Sequence, residues 1–246
     1  MNFYRADLHI HTVLSPCGDL EMSPVNIVSE AALKGLDIIG ITDHNTTRHC
    51  GLITRLAAEK GIFVMQGAEV TTKEEVHCLA FFENTDTLNK FQEFLDANLG
   101  TVMNDPSIFG YQVQVDEKDN VIYEEKKLLI NAISKSFEET EAFIHGLNGL
   151  FIPAHINRMK NSIYSQLGFL PENLKADALE ISKTTTPELF RASHPEISRF
   201  ALLRDSDAHY PEDIGTVFTE FFIDEPSFSE LRLAMKEVDG RKIIVE

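Results

Sequence analysis

Nine histidines, aspartates and glutamates of this 246-residue chain stand where they could together hold divalent metal ions. The leading pair stands in Asp7-Leu8-His9-Ile10-His11-Thr12-Val13-Leu14-Ser15-Pro16-Cys17-Gly18-Asp19. Residues two apart on an extended segment project to one side. His9 and His11 therefore share a face, with Asp7 ahead of them. Two imidazoles aimed at one point beside a carboxylate are half of a metal site. The other candidates are Asp19, His44, Glu69, His77, His155, Asp207 and His209. Imidazole with carboxylate suits Zn, Mn, Fe or Ni and shows no thiolate preference. Nine ligands exceed what one or two ions need, whereas three ions sharing a bridging carboxylate use them well. Glu69, mid-sequence, is the natural bridge.

These residues need elements to bring them together. Ser23-Pro24 reads as an N-cap followed by proline in the first turn. Ile27, Val28, Ala31 and Ala32 follow at helical spacing, and Gly35 stops the helix. Leu36–Thr42 is a short β-branched run, as in a strand buried on both faces, and ends in the polar cluster Asp43–Thr47. A helix over His49–Lys60 follows, then strands at Ile62–Met65 and Val76–Phe82. This alternation predicts a parallel α/β sheet. The ligand candidates lie at its C-terminal strand ends, where α/β barrels and open sheets build their sites. Residues 84–145 break the rhythm: a helix over Thr87–Leu95, a hairpin around Asp116–Asn120, and a helix over Phe137–His145. They read as an insertion or lid-like excursion within a single domain spanning 1–246. Strands then recur at Leu150–His155, Ala178–Ser182, Phe200–Arg204 and Val217–Ile223, with helices over Thr186–Ser198 and Ser227–Glu237. Strand–helix units through the whole length favour a closed or nearly closed barrel.

Composition limits the function classes. The net charge is −17 and the pI about 4.9. That argues against a broad electrostatic grip on nucleic acid or on an anionic membrane. The first residues contain no signal-peptide core, and no run has the length of a membrane span. Cys17, Cys50 and Cys78 form no CxxC pair and leave one over. Reduced thiols in the cytoplasm are the simplest reading. Oligomeric state has no signal.

The ordered set DLHIHT, TDHN, GAE, VH, PAH and SDAH resembles the polymerase and histidinol phosphatase (PHP) superfamily over nearly the whole chain. The resemblance implies a distorted (β/α)7 TIM-like barrel carrying a di- or trinuclear centre of Mn, Zn or Fe that hydrolyses phosphoesters. It implies that His9, His11, Glu69 and Asp207 hold one ion. Glu69 would bridge to a second held by His77 and His155. Asp19, His44 and His209 would hold a third. One motif departs: many relatives have Ser-Asp-Gly soon after the HxH pair, whereas Ser15-Pro16-Cys17-Gly18-Asp19 stands here. Cys17 is therefore a rival to Asp19.

Two ions about 3.5–4 Å apart lower the pKa of a bridging water, and the resulting hydroxide attacks phosphorus in line. Arg158 is placed to bind the phosphate bidentately. Asp207 or His209 could protonate the leaving oxygen. Glu69, Asp207 and His209 are thus the catalytic candidates, and Asp7 a candidate to orient a ligand histidine. The leading function is a phosphatase for a small metabolite: a nucleotide, nucleoside bisphosphate or sugar phosphate. The alternatives are a nuclease acting on nucleic-acid ends, which the charge makes unlikely, and a non-enzymatic metal-binding regulatory module. His49, His145 and His194, in predicted helices, receive no role.

Overall fold

The computed structural model describes residues 1–245. It opens with β1 (Asn2–Ile10). The Ser23 hydroxyl accepts from Asn26 N–H, so α1 runs Pro24–Leu33, and Gly35 at φ +69° turns the chain off it. β2 (Ile38–Ile41), α2 (Cys50–Ala58), β3 (Phe63–Thr71) and β4 (His77–Phe82) follow. Next come α3 (Thr85–Asn98), α4 (Pro106–Phe109), β5 (Val113–Val115), β6 (Val121–Glu124) and α5 (Phe137–Gly146). β7 (Leu150–Pro153), α6 (Ile163–Leu167), β8 (Leu179–Glu180), α7 (Pro187–Ser193) and β9 (Leu202–Leu203) resume the rhythm. β10 (Thr219–Ile223), α8 (Phe228–Met235) and β11 (Lys242–Ile244) complete it.

A seven-stranded sheet in the order β11-β10-β1-β2-β3-β4-β7 curls around the core. β8 and β9 pair in parallel and extend the curl. Ile156 N–H donates to the Glu180 carbonyl beside β7 (2.8 Å). The chain after β9 returns to β1 through His11 N–H to the Ala208 carbonyl (3.0 Å) and Ala208 N–H to the His9 carbonyl (3.1 Å). The result is a mixed α/β, distorted TIM-like barrel. The alternation predicts a parallel sheet throughout, and the sheet departs from that. β4 runs antiparallel to both β3 and β7, and β10 antiparallel to β1. The stretch between Thr71 and His77 is too short for a parallel crossover, so β3 must turn straight back into β4. His77 consequently sits at the start of its strand, at the same rim as the ends of the others.

Within 84–145, both longer helices cover the barrel. Leu88, Phe91, Phe94 and Leu95 of α3 and Phe137 and Ile144 of α5 are buried in the main core. The Phe94 and Phe143 rings stack at 3.9 Å. Residues 100–127 stand apart, and there the β5–β6 hairpin packs Val113 and Val115 on Val13 of the first motif. Asn45, at φ +48°, ties this region down by donating to the Leu129 (2.7 Å) and Asn131 (2.9 Å) carbonyls. Among the described residues, no helix is long and apolar enough to cross a membrane.

Candidate metal centre

β1 delivers His9 and His11 to the barrel rim, both buried, with their Nε2 atoms 3.2 Å apart. Glu69, near the end of β3, lies between the histidines. Its Oε1 is 2.9 Å from His77 Nδ1, 3.0 Å from His155 Nε2 and 3.4 Å from His9 Nε2. Its Oε2 is 3.1 Å from His44 Nδ1 and 3.4 Å from His11 Nε2. One carboxylate therefore faces two sets of imidazoles, one on each oxygen. Asp207 Oδ1 lies 3.3 Å from Nε2 of both His9 and His11. His155 and Asp207 sit at φ +30° and +51°, left-handed conformations that cost non-glycine residues energy and gather at functional sites. The ligand atoms fall into three groups: His9, His11 and Glu69; His44, Glu69 and His77; His11, Cys17, His44 and His209.

Protons balance this cluster poorly, and cations would balance it well. Burial alone would raise the Glu69 pKa, but His77, His9 and His44 outweigh it and hold the carboxyl well below the usual range. Burial would likewise neutralise His11, yet hydrogen bonds that its ring donates to Asp207 and Glu69 bring it up to about 9. His9 is raised too, as Glu180, Asp207 and Glu69 outweigh its burial. Two charged rings would then point donors at each other across 3.2 Å. His44 goes the other way, driven well down by burial and by its histidine neighbours. Burial and the His11 charge lower His209 to about 4. His44 Nδ1, His77 Nε2 and His155 Nδ1 are buried without a hydrogen-bond partner. Five imidazoles gathered on Glu69, two of them also beside Asp207, are the donor set of a metal site.

The tautomers are fixed from behind. His9 Nδ1 donates to both Glu180 oxygens (2.9 and 3.1 Å), so its Nε2 lone pair faces Glu69 and Asp207. Glu180 also accepts from His155 N–H (2.7 Å). It ends β8, and the one signal for it in the sequence is a glutamate closing an apolar run. Glu180→Gln is expected to weaken metal retention about 10–100-fold with the fold intact, read by competition against a graded chelator. Asp7 does not take this role. It accepts from Ser206 N–H (3.0 Å), Ser206 Oγ–H (2.6 Å) and Gly215 N–H (2.8 Å), and so braces the loop that carries Asp207.

In the third group, the Cys17 sulfur comes within 4.8 Å of ring nitrogens of His11, His44 and His209. Asp19 is turned away: its Oδ1 accepts from Glu21 N–H (2.8 Å). The turn bonds Ser15 N–H to Thr12 O and Gly18 N–H to Ser15 O (both 3.0 Å) put residue 17, not 19, over the histidines. A side chain at Gly18 would collide with the Thr12 carbonyl. Burial and the charges of Glu69 and Asp207 push the Cys17 thiol up, and a bound divalent ion would reverse that. Cys50 and Cys78 are buried, with the Cys50 thiol pushed up to about 12. Cys17 is the exposed one of the three, so a thiol titration of metal-free native protein should find one accessible cysteine, Cys17, reacting slowly because its thiolate is disfavoured, and loading with Zn should protect it.

His11 is held by a longer chain of bonds. Its Nδ1 donates to Ser15 Oγ (3.0 Å), which donates to Asp43 Oδ1 (2.7 Å). Thr12 Oγ1 donates to Asp43 Oδ2 (2.7 Å) and accepts from His49 Nδ1 (2.6 Å). His49 Nε2 accepts from Val115 N–H of the hairpin (3.0 Å). His49 is fully buried and links the hairpin to His11, a candidate ligand, a role its position at a helix start hides in the sequence. Burial lowers its pKa, and only the neutral ring can accept from Val115. This bond stabilises the folded state above about pH 6.5 and is lost as pH falls below that toward the lowered folded pKa. The protection factor of the Val115 amide should drop between pH 7 and 5 more than those of β2 and β3.

Arg158 follows His155 by one turn, closed by Arg158 N–H to the His155 carbonyl (2.9 Å). Its Nη2 forms an ion pair with Asp207 Oδ2, while the side chain remains 42% exposed. His77, His155 and Arg158 line an open cleft of about 440 Å³ with Met159, Lys160 and Asn161.

The PHP domain family model matches residues 7–168, more than half of the chain, and the PHP-associated model matches residues 203–238. The chain belongs to the PHP family. Similar proteins include the uncharacterised YqxK of Bacillus subtilis (strain 168), 24% identical over 277 residues, covering 97% of this chain and 63% of YqxK. The uncharacterised MJ1587 of Methanocaldococcus jannaschii is 38% identical over 90 residues, covering 33% of this chain and 52% of MJ1587. This PHP chain thus spans less than two thirds of the length of either relative. Among solved structures, the lesion-specific endonuclease PfuEndoQ of Pyrococcus furiosus is similar with a TM-score of 0.75 at 23% identity, covering 98% of this chain and 58% of that one. Endonuclease Q in complex with a 27-mer duplex bearing an abasic lesion at the active site gives 0.72 at 23% identity, with the same coverage. A structure ascribed to a metal-dependent phosphoesterase of Bifidobacterium adolescentis gives 0.58 at 19% identity, covering 92% of this chain and 91% of that one. At such identities the likeness establishes the fold.

Proposed function

We propose that this PHP chain is a metal-dependent phosphoesterase that cleaves a phosphodiester bond of nucleic acid. The observation that carries the substrate class is the mouth of the cleft. Met159 is 94% exposed there, between Arg158 and Lys160, beside His77 and His155. An apolar tip between two cations matches a strand whose phosphates meet the cations and whose bases meet the tip. The charge of −17 leaves no room for a broad basic groove, so the contacts are local. The likeness to two endonuclease Q structures supports the same reading.

His9, His11, Glu69 and Asp207 are the proposed holders of one ion, with Glu69 shared with His77 and His155. Cys17, rather than Asp19, joins His44 and His209 at a third position. Ions so held, of Mn, Zn or Fe, supply an acidified water and a clamp for phosphoryl oxygens. Glu69 places equal negative charge on both sides of the cluster. Burial would raise the Asp207 carboxyl, but His9 and His11 hold it below the usual range, so it remains an acceptor and leaves proton donation to other groups. His209 Nδ1 donates to the Asp207 carbonyl (2.9 Å), which leaves Nε2 as its free nitrogen. Arg158 presents its guanidinium where charge grows on the phosphoryl oxygens.

A second reading, hydrolysis of a small phosphorylated metabolite, is favoured by the net charge. The test uses Mn-loaded protein on an end-labelled duplex with an abasic site, an undamaged single strand, nucleoside bisphosphates and sugar phosphates. Strand cleavage that is absent in Glu69→Ala is the expected result. Phosphate release from a small ester alone would move the assignment to the second reading. Turnover of neither class would leave a metal-binding regulatory module.

A further inference from the structure

At the opposite end of the barrel lies a cavity of about 900 Å³. Gly149, Asp177 and Ala201, where the chain enters β7, β8 and β9, line its floor. From Gly149 to His155 is six residues, on the order of 20 Å of extended chain, so this cavity and the metal cluster are separate sites. Its walls carry Lys175, Arg191, Arg199, Arg232 and Lys236 against two carboxylates, Asp177 and Glu237. Five of the chain's 22 Lys and Arg residues therefore face one cavity in a protein of net charge −17.

The three guanidinium groups are fixed without being neutralised. Arg191 donates to the Ile197 (3.4 Å) and Phe200 (2.9 Å) carbonyls. Arg199 donates to the Pro171 (3.3 Å) and Glu172 (2.8 Å) carbonyls, with its face 4.7 Å from the Phe200 ring centre. Arg232 donates to Asn148 Oδ1 (2.9 Å) and to the Asn148 carbonyl (2.5 Å) over the Phe228 ring, and its buried Nε has no partner. Asp177 is occupied by His145 Nε2 (3.1 Å) and Phe151 N–H (2.9 Å). Among the described residues, none of the five cations forms an ion pair. Like charges anchored on neutral carbonyls repel one another, and an anion between them would remove that cost.

We infer that this cavity binds a polyphosphate chain, free or carried by a nucleoside. Planar arginine forks match phosphate oxygens. The volume exceeds a single phosphate several-fold, and the cations line several walls rather than one point.

The test is calorimetric titration of sodium tripolyphosphate, and separately ATP, into the full chain in excess chelator, which keeps the metal cluster out of the measurement. The variant is Lys175→Glu/Lys236→Glu, at two exposed lysines without side-chain hydrogen bonds. Saturable binding to the native protein, weakened at least tenfold in this variant and unchanged in Glu69→Gln, is the expected result. ATP binding tenfold tighter than tripolyphosphate would identify a nucleoside polyphosphate, and equal affinities a bare phosphate chain. No binding at millimolar concentration, equal affinity in the double variant, or loss in the folded Glu69→Gln would overturn the inference.

Discussion

Glu69→Ala is expected to abolish turnover and to empty the cluster of most of its metal. Its oxygens contact five histidines between 2.9 and 3.4 Å, and it belongs to two of the three ligand groups. Its removal therefore disables two sites at once. A metal ion contributes several kcal/mol of transition-state stabilisation, so the loss in kcat should reach about 10³-fold or more. Alanine also leaves a cavity and strips the buried histidines of their acceptor oxygens, which costs about 2–4 kcal/mol of stability. Glu69→Gln keeps the volume and separates the effects. It should fold, melt within a few degrees of the native protein, and still fail in turnover. A Gln variant with native rates would show that the carboxylate is not the bridge.

Arg158→Ala should act on the reaction and spare the metals. The side chain is 42% exposed and touches the cluster through its ion pair with Asp207. Removing it should change folding little, because exposed pairs contribute about 0–1 kcal/mol. Preorganised donors to a developing oxyanion are worth far more, about 10²–10³ in kcat each. The expected result is such a loss in kcat with metal content unchanged. Arg158→Lys should recover only part of it, since an ammonium cannot bind two phosphoryl oxygens as a planar fork. Loss of metal in Arg158→Ala would instead mean that Arg158 serves to hold Asp207 in place.

The sequence displays the candidate metal ligands because strand geometry is local. Alternation puts His9 and His11 on one face, and short apolar runs place Glu69, His155 and Asp207 at strand ends. What surrounds them is set by contacts between distant segments. Glu180 meets His9 across 171 positions, and nothing beside either residue announces the pairing. His49 reads as the start of a helix, and its burial depends on a hairpin more than 60 residues later. The approach of Cys17, rather than Asp19, to His11, His44 and His209 comes from two consecutive turn bonds and a bond from Asp19 N–H to the His209 carbonyl (2.9 Å). The reversal of β4 was legible: the connection between Thr71 and His77 is too short for a helix. The rule of alternating strands and helices masks that signal.

The measurement that bears most directly on the account is the metal content of purified chain, by mass spectrometry, after dialysis without chelator. Native protein should retain two or three divalent ions per chain, and Glu69→Gln should lose at least one while remaining folded. A native chain that holds no tightly bound metal after exposure to Mn, Zn and Fe, or a Glu69→Gln chain that keeps its full complement, would contradict a shared metal centre at this rim.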